Sequence, residues 1–346
     1  MACHIGRSRG FGQRFNTPGP SPYAVEVLGF PSDEFERSFV NVRLIEKDVQ
    51  AFGTNTLIIN DPSFQYVCAQ AYHAFKIPTI RPIHLNDIFK RDMEIMASSP
   101  GLPWINIGYK KKQDVADDLA ATNSIRWFWH RIKDGEEVSP PDCAAFLRSH
   151  LVESGSTKVR AVWGYPATIT FMEACFALPL IEKYKVCDTP IAYGYDMATG
   201  GAKRLWTELG RYKHYGCLDF KNFDKTVSRQ LIKIAFDILL QNVDLTAYAG
   251  SGVPDVRRLC RAWFFLRDYF IETPIRLCTG QRYRKRAGVA SGSFFTQLVD
   301  SIVNWILISY SFIQSHGVPP SFLKVFGDDS VIGHHMPIKA GQLCTA

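Results

Sequence analysis

Two apolar runs, Leu323 to Phe326 and Ser330 to Ile332, flank Gly327-Asp328-Asp329. This predicts two strands joined by a tight hairpin. It also sets two carboxylates side by side at the tip, where like charges repel. A second pair of acids stands upstream: Tyr215 to Asp219 reads as a short buried strand, and Asp224 follows in the turn after it. A helix over about 227–241 comes next, with Val227, Leu231, Ile234 and Ile238 at helical spacing. Phe294 to Gln314 reads as a long, largely buried helix behind the small-residue loop 288–293. Strand, helix, helix and hairpin with mixed spacing predict an α+β fold.

The remaining chain is less constrained. Its first 35 residues are rich in Gly, Pro and Ser and read as an extended arm over a larger body. Gln113 to Lys133 carries an unbroken helical pattern, with Val115, Leu119, Ile125 and Phe128 near one stripe, and Gly155 marks a loop before the apolar run beginning at Val159. With 346 residues, 46% hydrophobic and 21% charged, the chain has room for two or three structural units and is neither disordered, collagen-like nor a small secreted scaffold. Nine cysteines without a C-x-x-C pair argue against a disulfide framework or zinc ribbon and fit a reducing compartment. Ser301 to Ser315 is too short and too polar at Asn304 to span a membrane, and Ala161 to Ile181 carries Glu173 and two prolines. Arg7, Arg9 and Arg14 have no apolar secretion segment behind them, so the expected location is the cytoplasm, with no membrane partner.

A net charge of +7 leans toward polyanions. Hard divalent cations give the acid cluster a reason to exist, since Mg²⁺ takes carboxylate oxygens together with substrate phosphates. Two such ions about 3.5–4 Å apart can clamp an in-line phosphoryl displacement. Taken alone, an Asp-Asp pair in a turn is ordinary solvated turn chemistry; its companions change the reading. Thr296, Asp300 and Asn304 recur on one face of an apolar helix, a face suited to hydrogen-bonding a ribose, while Ser291-Gly292 lets a nucleic-acid backbone approach closely. Lys158 and Arg160 fall on one side of a predicted strand, spaced to hold a triphosphate. The turn Ser99-Pro100-Gly101-Leu102-Pro103-Trp104, followed by Lys110, Lys111 and Lys112, and the run Arg282, Arg284, Lys285 and Arg286 suit sequence-independent phosphate contact. Arg257, Arg258 and Arg261 beside Trp263, Phe264 and Phe265 read as an amphipathic helix, and His334 and His335 as structural or solvent-facing. No H-E-x-x-H, G-x-S-x-G, P-loop or helix-opening G-x-G-x-x-G is present.

In this order the features resemble those of viral RNA-dependent RNA polymerases, most closely the partitivirus polymerases of segmented double-stranded RNA viruses. The resemblance runs from about Ser98 to Ile332. Ser99 to Pro103 is similar to the template-entrance motif, Lys158 to Pro166 to the nucleotide-gripping fingers motif, and Leu218 to Asp224 to the first palm motif. Ser291-Gly292 with Thr296 and Asn304 is similar to the second palm motif, and Gly327-Asp328-Asp329 to the third.

The resemblance implies template-directed nucleotidyl transfer from NTPs to an RNA 3′-OH. Asp219 and Asp328 would be the principal ligands of two Mg²⁺ ions (Mn²⁺ being the alternative), with Asp329 assisting. Lys158 and Arg160 would hold the triphosphate, and Asp224, Asn304 and Thr296 the ribose 2′-OH, with Ser291 against the nucleotide. Ser99, Gly101, Lys110, Lys111, Gly292, Arg284 and Arg286 would meet the RNA template and nascent strand. It further implies a capsid-protein partner and a place within virus particles in the host cytoplasm. Expected units are an N-terminal extension with fingers (1–97), fingers with the template-entrance and nucleotide-gripping motifs (98–210), palm (211–239), a fingers insertion (240–286) and the second part of the palm (287–346). Ser330 to Ala346 is too short for the family's later palm element and thumb, so the resemblance implies a C-terminally truncated right hand without its thumb. The competing readings are a non-catalytic RNA-binding or assembly protein, indifferent to Mg²⁺, and a reverse transcriptase, which would prefer dNTPs.

Overall fold

Three sheets organise the described residues (1–13, 15, 22–29, 34–53 and 58–343) of the computed structural model; Arg14 and Cys344 lie outside them. In chain order the strands are β1 (Cys3–Arg7), β2 (Phe35–Arg37), β3 (Cys143–Ser149), β4 (Leu151–Glu153), β5 (Val159–Gly164), β6 (His214–Leu218), β7 (Pro274–Arg276), β8 (Gln281–Arg284), β9 (Phe322–Phe326) and β10 (Asp329–His334). One sheet runs β1-β8-β7-β3-β5, a second β6-β10-β9, and β2 pairs with β4. The mixture of these sheets with long helices is the α+β class expected. Part of the arm is itself a strand: β1 lies antiparallel on β8. Just past it, Gly10 passes so close to Cys278 that an added Cβ would sit 2.1 Å from that carbonyl oxygen.

The longer helices are α1 (Val42–Gln50), α2 (Pro62–Ala74), α3 (Leu119–Asp134), α4 (Ala167–Val186), α5 (Gly201–Leu209), α6 (Arg229–Leu240), α7 (Val256–Ile271) and α8 (Thr296–His316). Their starts follow local chemistry: Asn41, Asp61, Asp118, Ser228 and Asp255 each accept a backbone N–H of the first turn. Among the described residues no helix is long and apolar enough to cross a membrane.

Two of these caps correct the sequence reading. The expected helix over 113–133 is broken at Asp118, whose carboxylate accepts from Ala121 N–H at 2.9 Å and starts a new helix after Lys112–Asp117. The break shifts the helical phase, so Val115 and Ile125 are buried but Leu119 is 71% exposed. Likewise α6 starts at Arg229 and not at Val227, because Ser228 caps it. A single helical turn, Phe223–Thr226, precedes it after Asn222, which adopts φ +57.

The core gathers on α4, which is buried along most of its length. Phe176 meets Trp263 edge-on, and Trp263 in turn meets Phe236 and Phe295. Trp263 is fully buried, and truncating it to Ala would cost about 3–5 kcal/mol. As expected, α7 is amphipathic: Trp263 faces inward while Arg257 and Arg261 face solvent. Helix α8 lies under β9 and β10, with α2 and α6 packed beside it. This leaves the opposite face of the β6-β10-β9 sheet open, and there Tyr215, Cys217 and Asp219 alternate outward along β6.

Candidate functional site

The open face ends at the β9–β10 turn. Gly327 and Asp328 are the two loop residues between paired Phe326 and Asp329, and Gly327 takes φ +66. The turn is held from below by α8: Ser301 Oγ accepts the Gly327 N–H at 2.9 Å, and Asn304 Nδ2 donates to the carbonyls of Gly327 and Asp329 at 2.9 and 3.0 Å. Antiparallel pairing of β10 with β6 sets Ser330 opposite Leu218. One step further along the same register brings Asp219 beside Asp329.

Three exposed acids therefore share this edge, and they act on one another. Partial burial raises the Asp329 carboxyl above its ordinary value, and Asp328 and Asp219 add to the rise. Asp224 is raised by burial and also feels Asp48 and Asp328, against the opposing pull of Lys225 and Arg160. Asp300 on α8 is raised most. Burial is the first cause, then Asp328 and Asp224, with Lys285 only partly offsetting them. Its Oδ1 is buried and has no hydrogen-bond partner. A cavity of about 630 Å³ lies against Asp219 and Asp329, walled by Tyr193, Tyr195, Met197 and Phe326.

The donor set is all carboxylate oxygen and short of counter-charge. Among the described residues no three such side chains close around a common point. Mg²⁺ does not require that, being held commonly by one or two carboxylates plus substrate phosphates. The acids fit such an ion.

Lys158 and Arg160 lie exposed at the start of β5, and Arg160 is close enough to Asp224 to lower its pKa. Asp48 of α1 couples these two regions: its Oδ2 accepts the Ala161 N–H at 2.9 Å and its Oδ1 meets Lys225 Nζ at 2.8 Å. The loop 288–293 crosses between them. Val289 N–H donates to the Asp224 carbonyl at 2.7 Å, and Gly292 (φ +103) passes where a Cβ would stand 2.3 Å from the Trp163 oxygen. Ser291 and Gly292 are exposed at the loop's crown.

Other expected residues are used differently from the expectation. Thr296 Oγ1 donates to the Ala290 carbonyl and the Asn304 amide nitrogen serves the hairpin, so along the polar stripe Asp300 Oδ1 and Asn304 Oδ1 stay unengaged. Gly101 is buried, and its φ of +68 brings it against Pro166, where a Cβ would meet backbone at 2.7 Å. Its turn is docked on the β5–α4 corner, with the Pro100 carbonyl accepting from Ala167 N–H.

Folding splits each basic run into buried and exposed members. Lys110 and Lys111 are exposed beside the turn, but Lys112 is buried and donates to Ser98 Oγ and the Ser99 carbonyl. Arg282 pairs with Asp142. Lys285 is fully buried among carbonyls, and burial pulls its pKa down to about 7. Arg284 is half-buried on β8, which leaves Arg286 as the exposed cation of that run. His334 is buried, with Nδ1 accepting from Ser321, and His335 is exposed.

Asp48 and Glu173 have no site role in the sequence reading, and Asp300 enters it only as a member of the polar stripe, without a role of its own. Asp300 had a visible signal, an acid one turn beyond Thr296 on a buried helix. Glu173 had a weaker one, a lone carboxylate in an apolar run. Asp48 had none.

Comparison with known proteins gives a consistent result. Residues 68–343 match the family described as viral RNA-dependent RNA polymerase. The RNA-directed RNA polymerase of Cryptosporidium parvum virus 1 is 30% identical over 209 residues, 59% of this chain and 37% of that protein. That of white clover cryptic virus 1 is 30% identical over 192 residues, 51% of this chain and 31% of that protein. The chain thus spans well under half the length of these relatives. In fold it is similar to the 3Dpol RNA-dependent RNA polymerase of a sicinivirus, with a TM-score of 0.70 at 15% identity, covering 98% of this chain and 74% of that one.

Proposed function

The chain belongs to the viral RNA-dependent RNA polymerase family, and from that premise we propose that it carries the catalytic palm and fingers of an RNA replicase. The observation that carries the reading is the convergence at one sheet edge of Asp219, Asp328 and Asp329, with Arg160 and the Ser291-Gly292 loop on its flank. In this reading the β6-β10-β9 sheet with α6 and α8 is the palm, and the five-stranded sheet with its helices the fingers.

The reaction is template-directed nucleotidyl transfer. A primer 3′ oxygen bonds to the α-phosphorus of an NTP as the bond to pyrophosphate breaks, and the hydroxyl proton is lost. Asp219 and Asp328, assisted by Asp329, would hold two Mg²⁺ ions (or Mn²⁺). When bound, these supply Lewis-acid activation of the attacking oxygen and charge neutralisation at the leaving one. The chain's own groups do the rest. Lys158 and Arg160 bind and orient the triphosphate, Arg as a planar fork. Asp224, Asn304 through its unengaged Oδ1, and the unengaged oxygen of Asp300 are acceptors available to a ribose hydroxyl, the group that separates RNA from DNA precursors. The crown of the 288–293 loop lies against the nucleotide and template. Template and nascent RNA would pass the Ser99–Pro103 turn with Lys110 and Lys111. Replication of a viral genome in the host cytoplasm is the setting that the virus relatives suggest, and a place inside particles beside a capsid protein rests on the family resemblance alone.

The test is incorporation of labelled NTPs on an RNA primer–template with and without Mg²⁺. Asp328→Asn should abolish it. Full incorporation by that variant would overturn the assigned role. Salt-sensitive RNA binding indifferent to Mg²⁺, with no turnover, would favour a non-catalytic RNA-binding protein.

A further inference from the structure

Within the apolar helix α4 one carboxylate is fully buried, that of Glu173. Both its oxygens are spent on one neighbour. Oε1 accepts from Ser293 Oγ at 2.6 Å and Oε2 from the Phe294 N–H at 3.1 Å. Those two residues close the 288–293 loop and lead into α8, whose N-cap position, Phe295, offers no side-chain bond of its own. The loop's other end is held by a second buried charge: Lys285 Nζ donates to the Gly288 carbonyl at 2.8 Å and to the carbonyls of Phe270 and Ile271. Between the anchors stand the exposed Ser291 and Gly292.

A buried carboxylate is an expensive way to hold a helix start, since an apolar side chain of like volume is commonly neutral or stabilising at such a place. Ser293 Oγ already accepts the Phe295 N–H at 3.1 Å without help from α4. What Glu173 adds is a fixed distance between the fingers helix and the loop crown. We propose that Glu173 is a positioning residue, clamping Ser293 and Phe294 so that Ser291 and the Gly292 backbone stand where the incoming nucleotide meets them. This rests on the polymerase reading for its consequence, though not for the clamp itself. Burial pushes the Glu173 carboxyl up to about 8, against the pull of Ser293, Phe294 and Lys112. A neutral amide is therefore a fair substitute: Gln can accept from Phe294 N–H and donate to Ser293 Oγ.

The test compares the parent chain with Glu173→Gln, Glu173→Leu and Ser293→Ala by amide hydrogen exchange over 288–296 and by NTP titration of RNA extension. Glu173→Leu should speed exchange in that segment about tenfold, the scale of one lost buried hydrogen bond. It should also raise the NTP KM by a similar factor with a smaller change in kcat. Glu173→Gln should restore both to within about twofold. Ser293→Ala, which leaves α4 untouched, should reproduce part of the exchange effect, and combining it with Glu173→Leu should add little.

Unchanged exchange in Glu173→Leu and Ser293→Ala would overturn the clamp. Faster exchange with an unchanged KM would overturn the positioning role. Should the parent chain incorporate no NTP, the polymerase reading fails and takes the positioning role with it, while the exchange data still decide the clamp.

Discussion

Two groups of acids in this molecule are treated in opposite ways. Asp142, at the end of β3, is buried, with its side chain 1% exposed, and Arg276 and Arg282 surround it: Arg276 meets Oδ2 at 2.5 Å, and Arg282 spans both oxygens at 2.7 and 2.8 Å. Its counter-charge is built into the fold. Asp219, Asp328 and Asp329 share a sheet edge with no Arg or Lys ion pair to any of them among the described residues, and the nearby Asp300 is pushed up by burial and by Asp328. On the proposed reading, a chain that neutralises one carboxylate twice over and leaves a cluster to repel itself would leave that neutralisation to bound cations, and the two kinds of acid would differ in where their cation comes from.

The comparison breaks most sharply at the acidic sheet edge. Asp219→Asn should lower Mg²⁺-dependent NTP incorporation on the order of 10²–10³-fold, as loss of one preorganised electrostatic group does elsewhere. The same variant should melt no lower than the parent, because a repelling charge has gone; a fall in Tm matching the fall in rate would erase the distinction. Asp142→Asn is the mirror experiment. It strands two arginines and should cost about 3–5 kcal/mol in a urea titration, with the rate per folded molecule preserved.

Arg160→Ala should raise the NTP KM about tenfold, consistent with one lost charge-assisted contact, whereas Arg286→Ala should leave KM alone. Equal effects would mean that the surface cations act only as a diffuse field.

The smallest effect is in stability against pH. Asp300 and Asp329 have folded-state pKa values raised above their unfolded ones, so the folded chain holds more protons than the unfolded one across the interval between the two values. Stability therefore falls as pH rises through that interval and returns as pH drops back toward the ordinary carboxylate value. Mg²⁺ binding to the folded state should offset the loss, raising Tm at neutral pH by roughly 2–4 °C and less at pH 5. Asp142→Asn should keep that increment and Asp328→Asn should lose it.

The hairpin, the β6 strand and the long helix behind the small-residue loop are legible because each is written in local code, glycine at the turn and apolar runs for strand and helix, but β6 is not the buried strand expected, since Tyr215 and Cys217 face outward from a sheet packed on one side only. The break at Asp118 was hidden because a cap and a helix interior read alike in composition, and only the backbone decides which one the side chain serves. The basic run Arg282 to Arg286 misled for a different reason. Charge density along the chain says nothing of what lies across a sheet, and here Asp142 takes Arg282 and a ring of carbonyls takes Lys285, while Arg284 stays half-buried and Arg286 exposed. Asp48 could not be found at all, since its two partners, Ala161 and Lys225, are far away in the sequence.

The hairpin turn hangs from Ser301 and Asn304, and the small-residue loop runs into the start of the same helix. Helix α8 is therefore a single rigid beam carrying the acids partway along it and the loop at its head. When such a beam rocks, both loads travel together and the gap between them is conserved. Thermal motion here should thus appear as a shared drift of loop and hairpin and not as jitter in their separation, the coordinate that the proposed in-line transfer could least tolerate losing.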